Sequence, residues 1–345
     1  MANDVDRDSE STTKKPAIKG FKATTGRLRQ GDEKPLKHRA TLDWRLDQRT
    51  VCGVNGADAE IVPIDDLKNV ILKSRTGEAL LQDADGLTII YDQQSPASQY
   101  YARENQRIIT LNPLRPRGDL INLLARELRR DWQHRHGALV NPLKYEPDEA
   151  ILINRAQNAD VLMIGVKIAW ELKLAGETEA WDFLTASPFV DVTRTFEIKA
   201  QSDFRTLNNG EASRAAYDKF FEDTRTKMHD KRIIHQMLLD ESGYMKTREK
   251  APKVSMDLFK RLGEMPNGRN YLVIKAKHAP TDMCYSTVED RSNANFLWFI
   301  KFERSFQEKE LQMVQESVKL SAEVVDFGKW SDKTKRARQP EPGQA

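Results

Sequence analysis

The sequence predicts an α+β protein that is mostly helical: a small sheet, a central pair of long helices, and further helices toward the C-terminus. Three observations carry this. Residues 87–92 (Leu-Thr-Ile-Ile-Tyr-Asp) and 106–112 (Gln-Arg-Ile-Ile-Thr-Leu-Asn) are short β-branched runs. Directly after them, Ile121, Leu124, Ala125, Leu128 and Trp132 recur at three- and four-residue steps, the spacing of one buried helical face. A second helical pattern, longer still, runs from Pro147 to Gly176.

In chain order, residues 63–72 read as a short amphipathic helix, and 76–81 begin another that Gly86 ends. The strand 87–92 follows. Residues 95–103 are polar and read as a turn, and Pro113 stops the strand 106–112. Pro116 and Asp119 mark the start of the first long helix and Gly137 its close. Pro147, Asp148 and Glu149 place proline and acid where a helix begins. At about 1.5 Å per residue, the second helix can lie along the whole of the first. Residues 178–184 and 188–200 continue the helical pattern, 204–210 read as a connector, and 211–239 are helical again. A basic, polar stretch at 246–253 reads as a hinge, 271–275 (Tyr-Leu-Val-Ile-Lys) as a strand, and 295–327 as a long helix. No internal repeat is visible.

Composition bounds the class. Of the 345 residues, 31% are charged and 39% apolar, and there is no apolar run of about 18 residues, so no membrane span is expected. The first residues lack an apolar signal core, and Cys52 and Cys284 lack the spacing of a metal or redox pair. A cytoplasmic protein with reduced thiols is expected. Residues 1–50 hold twelve Lys/Arg against eight Asp/Glu and residues 329–345 five against two, leaving the middle mildly acidic. These compositions divide the chain into a disordered region (1–45), a main domain (46–250), a mixed strand and helix segment (251–328) and a basic disordered tail (329–345). Basic tails can touch nucleic acid, but at this modest density a solvated tail is the plainer account.

The strand Ile108-Ile109-Thr110-Leu111-Asn112-Pro113, the run Ala125-Arg126-Glu127-Leu128-Arg129-Arg130-Asp131-Trp132-Gln133 and the run Asn158-Ala159-Asp160 together resemble a bacterial family of unknown function classed as putative metallopeptidases. That family shows a strand, a helix reading like H-E-L-R-H-x-W-Q and a second helix carrying E-A-D. The likeness covers roughly residues 64–244. It implies a zincin-like helix pair in which the two histidines and the second helix's glutamate hold zinc, and the HExxH glutamate is the general base. By position Arg126 and Arg130 stand for the histidines, Asn158 for the glutamate, Asp160 for the aspartate and Glu127 for the base.

Those departures matter chemically. A guanidinium is a fixed cation with five N–H donors and no lone pair to give a metal. Asparagine is a weak, neutral replacement for a carboxylate, and a glutamate base needs a metal-bound water. No metal or other cofactor is therefore expected, with Glu127 vestigial. Zinc returns only if other ligands replace the missing ones. Glu127, Asp131 and His134 share one helical face and could meet Asp160 in an oxygen-rich site. The plainer account pairs Glu127 with Arg130 and Asp131 with His134 across an ordinary helix surface. Arg126 and Arg130 either grip a carboxylate or phosphate, or pair with Glu127 and Asp160 in a structural cluster.

Of the remaining histidines, His38, His229, His235 and His278 have no ligand spacing, and 263–268 lacks the ending of a phosphate loop. The aromatic run 296–302 reads as core or a partner interface. The expected function is that of a pseudoenzyme that binds an unknown protein or peptide. The alternatives are an active metal-dependent peptidase with substituted ligands and a nucleic-acid-associated protein.

Overall fold

A computed structural model describes residues 61–103, 106–222, 225–240 and 251–325. The expectations for residues 1–45, Cys52 and the tail 329–345 fall outside them. Two short helices, α1 (Ile64–Ile71) and α2 (Arg75–Asp83), lead into strands β1 (Leu87–Tyr91), β2 (Ser98–Arg103) and β3 (Gln106–Leu111). The long helices α3 (Arg117–Arg135) and α4 (Pro147–Leu174) follow. Then come α5 (Glu179–Thr185), α6 (Val190–Ser202), α7 (Arg205–Asn209), α8 (Glu211–Lys219) and α9 (Arg225–Leu238). The described chain closes with α10 (Met256–Gly263), α11 (Val273–Ala276), α12 (Met283–Ser286) and α13 (Arg291–Val325). This is a mostly helical α+β fold, as the periodicity predicts. Among the described residues no helix is long and apolar enough to cross a membrane.

The sheet has three strands in the order β1-β3-β2, with β1 parallel and β2 antiparallel to β3. Residues 98–103 are thus a strand where a turn was expected. Ser-Gln-Tyr-Tyr-Ala-Arg shows no clean apolar alternation, and the segment becomes a strand by pairing Ser98 through Arg103 with Leu111 through Gln106. Residues 271–275 make the opposite correction. Val273 and Ile274 open the short helix α11 and stay exposed, because β propensity is realised only beside a strand partner. Residues 204–210 likewise contain the short helix α7 rather than only a turn.

The helix pair α3 and α4 forms the centre. Every residue from Gly118 to Gln133 is buried, and α4 is buried without interruption from Ala150 to Trp170. One face of α3 meets β2 and β3, another meets α4, and α1, α2 and α5 cover the rest. Gly137, at φ +64°, turns the chain out of α3 in the left-handed region that glycine enters without a Cβ penalty. Around α4 pack α5, α6, α8, α9, α10 and α12. A smaller apolar cluster joins Ala150 and Ile151 of α4 to Ile233, Ile234 and Met237 of α9 and Leu297 and Ile300 of α13. The aromatic run 296–302 therefore splits: Leu297 and Ile300 pack inward, while Phe296, Trp298, Phe299 and Phe302 remain exposed.

Burial of α3 from Gly118 to Gln133 changes the meaning of its charges. Arg126, Glu127, Arg129, Arg130 and Asp131 are all inside, so their pairs do not decorate a helix surface. A buried ion must find a partner or cost several kcal/mol, and the candidate site follows from how these five do so.

Candidate functional site

Arg126 and Arg130 stand one turn apart on α3 and point to the same side. Across from them α4 contributes Asn158, Val161 and Leu162, the approach to α6 contributes Phe189, and Phe220 and His229 close the far wall. The cavity between them is about 10 Å³, on the scale of a single water. The three positions that the resemblance assigns to zinc ligands thus line one cavity. The Nη2 of Arg130 approaches the Oδ1 of Asn158 at 3.5 Å and its Nη1 stands 3.5 Å from Glu127. The guanidinium of Arg126 lies over the Phe189 ring, 5.0 Å from its centre.

Burial pushes the Arg126 guanidinium down to about 9, with Asp119 acting against that shift and Arg130 adding to it. Asp119 is itself buried and bonds Arg115 at 2.6 Å. Its carboxyl is raised by burial and lowered by Arg115 and Arg126. Gly165 makes room for the stem of Arg126 on α4, where a Cβ would stand 2.9 Å from the Arg126 Cγ. Gly165→Ala is therefore expected to displace Arg126 and destabilise the fold by about 1–3 kcal/mol. Urea unfolding checks this, and a change within experimental error would contradict the packing.

Asp160 does not join this cavity. It lies two residues beyond Asn158, some 200° around α4 by helical geometry, and its partner is Arg129. Arg129 reaches Asp160 through Nε at 2.7 Å and Nη2 at 3.1 Å, and the same Nη2 bonds the carbonyls of Leu262 and Glu264. Gln133 and the Tyr271 hydroxyl each donate to Asp160 at 2.6 Å. The expected pairing of Asp160 with Arg126 and Arg130 is corrected for this reason. Of the expected acids, only Glu127 pairs with Arg130.

The acidic stripe of α3 turns to the sheet. Ser98 donates to Glu127 at 2.7 Å, and the Tyr100 hydroxyl lies 3.0 Å from both Asp131 and the Nδ1 of His134. Arg107 of β3 grips both oxygens of Asp131 at 2.8 and 2.9 Å, and Arg135 adds a further bond at 2.9 Å. Burial lowers the His134 pKa, with Asp131 opposing it. Glu127, Asp131 and His134 share a face as expected, but Asp160 lies on another side. They do not form an oxygen-rich site with it.

His229 is the site residue that sequence spacing does not disclose. It comes from α9, 71 positions after Asn158 in the chain, and reaches the cavity because α9 packs on α4. Burial lowers its imidazole to about 3, and Arg232, Arg225, Arg126 and Arg130 push the same way. A neutral folded histidine set against an unfolded one near 6.5 means the unfolded chain binds more protons between those values. Stability is thus expected to fall as pH drops from about 6.5 toward 3, with a slope of at most about 1.4 kcal/mol per pH unit, the limit for uptake of one proton. Urea titrations at pH 7.5 and 5 should show a smaller loss in His229→Gln than in the parent. An equal loss in both would contradict this.

Zinc does not fit the donors that line this cavity. Two guanidiniums offer no lone pair and a repelling charge, the amide of Asn158 is a weak neutral oxygen ligand, and only His229 is an ordinary metal donor. No curated protein and no solved structure matches the chain. Residues 56–273, well over half the chain, match the family described as Putative metallopeptidase family (DUF6782). The strand, the helix carrying Arg126, Glu127 and Arg130, and the helix carrying Asn158 all fall within that match, and the chain belongs to this family.

Proposed function

We propose that this member of the family has exchanged its zinc for a fixed pair of cations and acts by binding a protein or peptide rather than by hydrolysis. The observation that carries the reading is the convergence of Arg126, Arg130 and Asn158 on one small cavity. In this arrangement Glu127 bonds Ser98 and faces Arg130, so its charge is engaged in structure, and work as a general base would need a metal-bound water for which the neighbouring guanidiniums offer no ligand. The cavity is too small for a carboxylate or phosphate ligand, which favours the structural use of the two arginines. Binding would then fall to another surface.

The test combines activity with reversion. The purified chain is expected to cleave neither casein nor a mixed peptide library, with or without added zinc. Arg126→His/Arg130→His/Asn158→Glu is expected to fold and to bind zinc, because the helix scaffold would be intact. Peptidase activity in the parent that chelation abolishes would overturn the reading. A folded triple variant without zinc affinity would mean that the helices are not arranged as in a metallopeptidase.

One observation favours the alternative of an active enzyme with substituted ligands. His229, held neutral, brings one imidazole lone pair to the same cavity. Loss of activity in His229→Ala, in a parent that proves active, would support it.

A further inference from the structure

The opposite face of α4 carries a second and larger cleft, of about 200 Å³. Lys167 lies nine residues after Asn158, half a turn away around the helix axis. The cleft is bounded by the start of α2, the C-terminal third of α4, the α7–α8 junction and the loop before α11. Three cations line it, Arg75, Lys167 and Arg269, against one carboxylate, Glu171.

That carboxylate is already committed. One oxygen of Glu171 accepts from the Ser74 hydroxyl and the Thr76 amide, both at 2.7 Å, and the other from the Thr76 hydroxyl at 2.7 Å. It stands 3.9 Å from the Lys167 ammonium, beyond hydrogen-bond reach. The ammonium of this buried lysine donates to the Leu207 carbonyl at 3.3 Å, one acceptor for a group with three N–H bonds. Arg269 bonds the carbonyl and side-chain oxygen of Asn208 at 2.8 and 2.9 Å. Among the described residues Arg75 makes no ion pair.

The neutral lining points the same way. The Asn209 side-chain oxygen accepts from the Glu211 amide, and that of Asn267 from the Arg269 amide. Each amide oxygen already has one protein donor, and both amides also carry N–H bonds to offer a ligand. The cleft is thus rich in donors, with three cations and one occupied carboxylate. Burial lowers the Lys167 pKa, and Arg269 and Arg75 lower it further against the pull of Glu171. An anion between these cations would relieve their mutual repulsion and replace the water that the lysine has lost.

We propose that this cleft binds a small oxyanion, the carboxylate or phosphate group of a ligand, between Lys167, Arg75 and Arg269. The test is calorimetric titration of the full chain, in Tris chloride at low ionic strength, with inorganic phosphate and separately with succinate. Saturable one-to-one binding of either supports the site, and the tighter of the two identifies the chemical source. Affinity should fall about tenfold in Lys167→Met and in Arg75→Gln, as expected for loss of one charge-assisted contact. Arg75 is exposed, so its variant should fold even if the buried lysine's does not. No heat of binding from either anion, or binding that Arg75→Gln leaves unchanged, would overturn the proposal.

Discussion

Asp160→Ala is expected to lower the unfolding free energy by about 3–5 kcal/mol, because it strands a wholly buried guanidinium. Arg129 and Asp160 are both fully inaccessible, and the aspartate accepts four hydrogen bonds from Arg129, Gln133 and Tyr271. Removing it leaves the Arg129 Nε and the Tyr271 hydroxyl without an acceptor, in a place where water does not reach. The guanidinium would keep its two carbonyl bonds and its position 4.1 Å over the Trp132 ring, which is why the loss stays within that range. Urea unfolding followed by circular dichroism measures it. A cost under about 1 kcal/mol, the value of an exposed pair, would mean that the pair is not buried. Asp65→Ala on α1, whose partner Lys68 is exposed, serves as that exposed control.

The second large effect is expected from Asp230→Ala, again about 3–5 kcal/mol. Arg155 of α4 grips Asp230 of α9 through two bonds at 2.7 and 2.6 Å, with both side chains 2% exposed. The same guanidinium bonds the carbonyls of Tyr285 and Thr287, so it ties α9 and the α12 region to α4 at one point. Asp230 neighbours His229 in the chain, and the pair therefore also fixes where the imidazole meets the arginine cavity. The variant is expected to lose the His229 contribution to the acid limb of stability along with the salt bridge. A variant as stable as the parent would contradict the burial of this pair.

What the sequence could and could not reveal has a physical pattern. Helices α3 and α4 were legible because their apolar positions repeat over many turns and their ends carry proline, acid and glycine. Strands β1 and β3 were legible from β-branched runs. β2 was not, since Ser98 to Arg103 is a strand by virtue of its partner. The convergence of Arg126, Arg130 and Asn158 followed from the motif resemblance. The placement of Asp160 follows from helical geometry, because residues two apart on a helix, such as Asn158 and Asp160, point to opposite sides. Arg129 falls on the arginine of the family's H-E-L-R-H run, and its role appears only in the fold, where it holds the central ion pair. His229, Asp230 and the cleft at Lys167 depend on segments that meet only in the fold, and no local spacing announces them.

The charged interior also explains why composition misleads here. A helix reading Arg-Glu-Leu-Arg-Arg-Asp looks like a solvated surface, with alternating charges one turn apart. Its burial is tolerated because its ions mostly have partners from other elements: Arg107 for Asp131, Asp160 for Arg129, Ser98 for Glu127. Such interiors gain little net stability from their pairs but are costly to break, so the largest mutational effects are expected at charges rather than at apolar residues alone.

The central claim, that cations have replaced the zinc, is tested most directly by elemental analysis of the purified, untagged full-length chain after dialysis against zinc. The account predicts zinc well below one atom per chain, unchanged in His229→Ala. One tightly held zinc per chain that His229→Ala removes would contradict it.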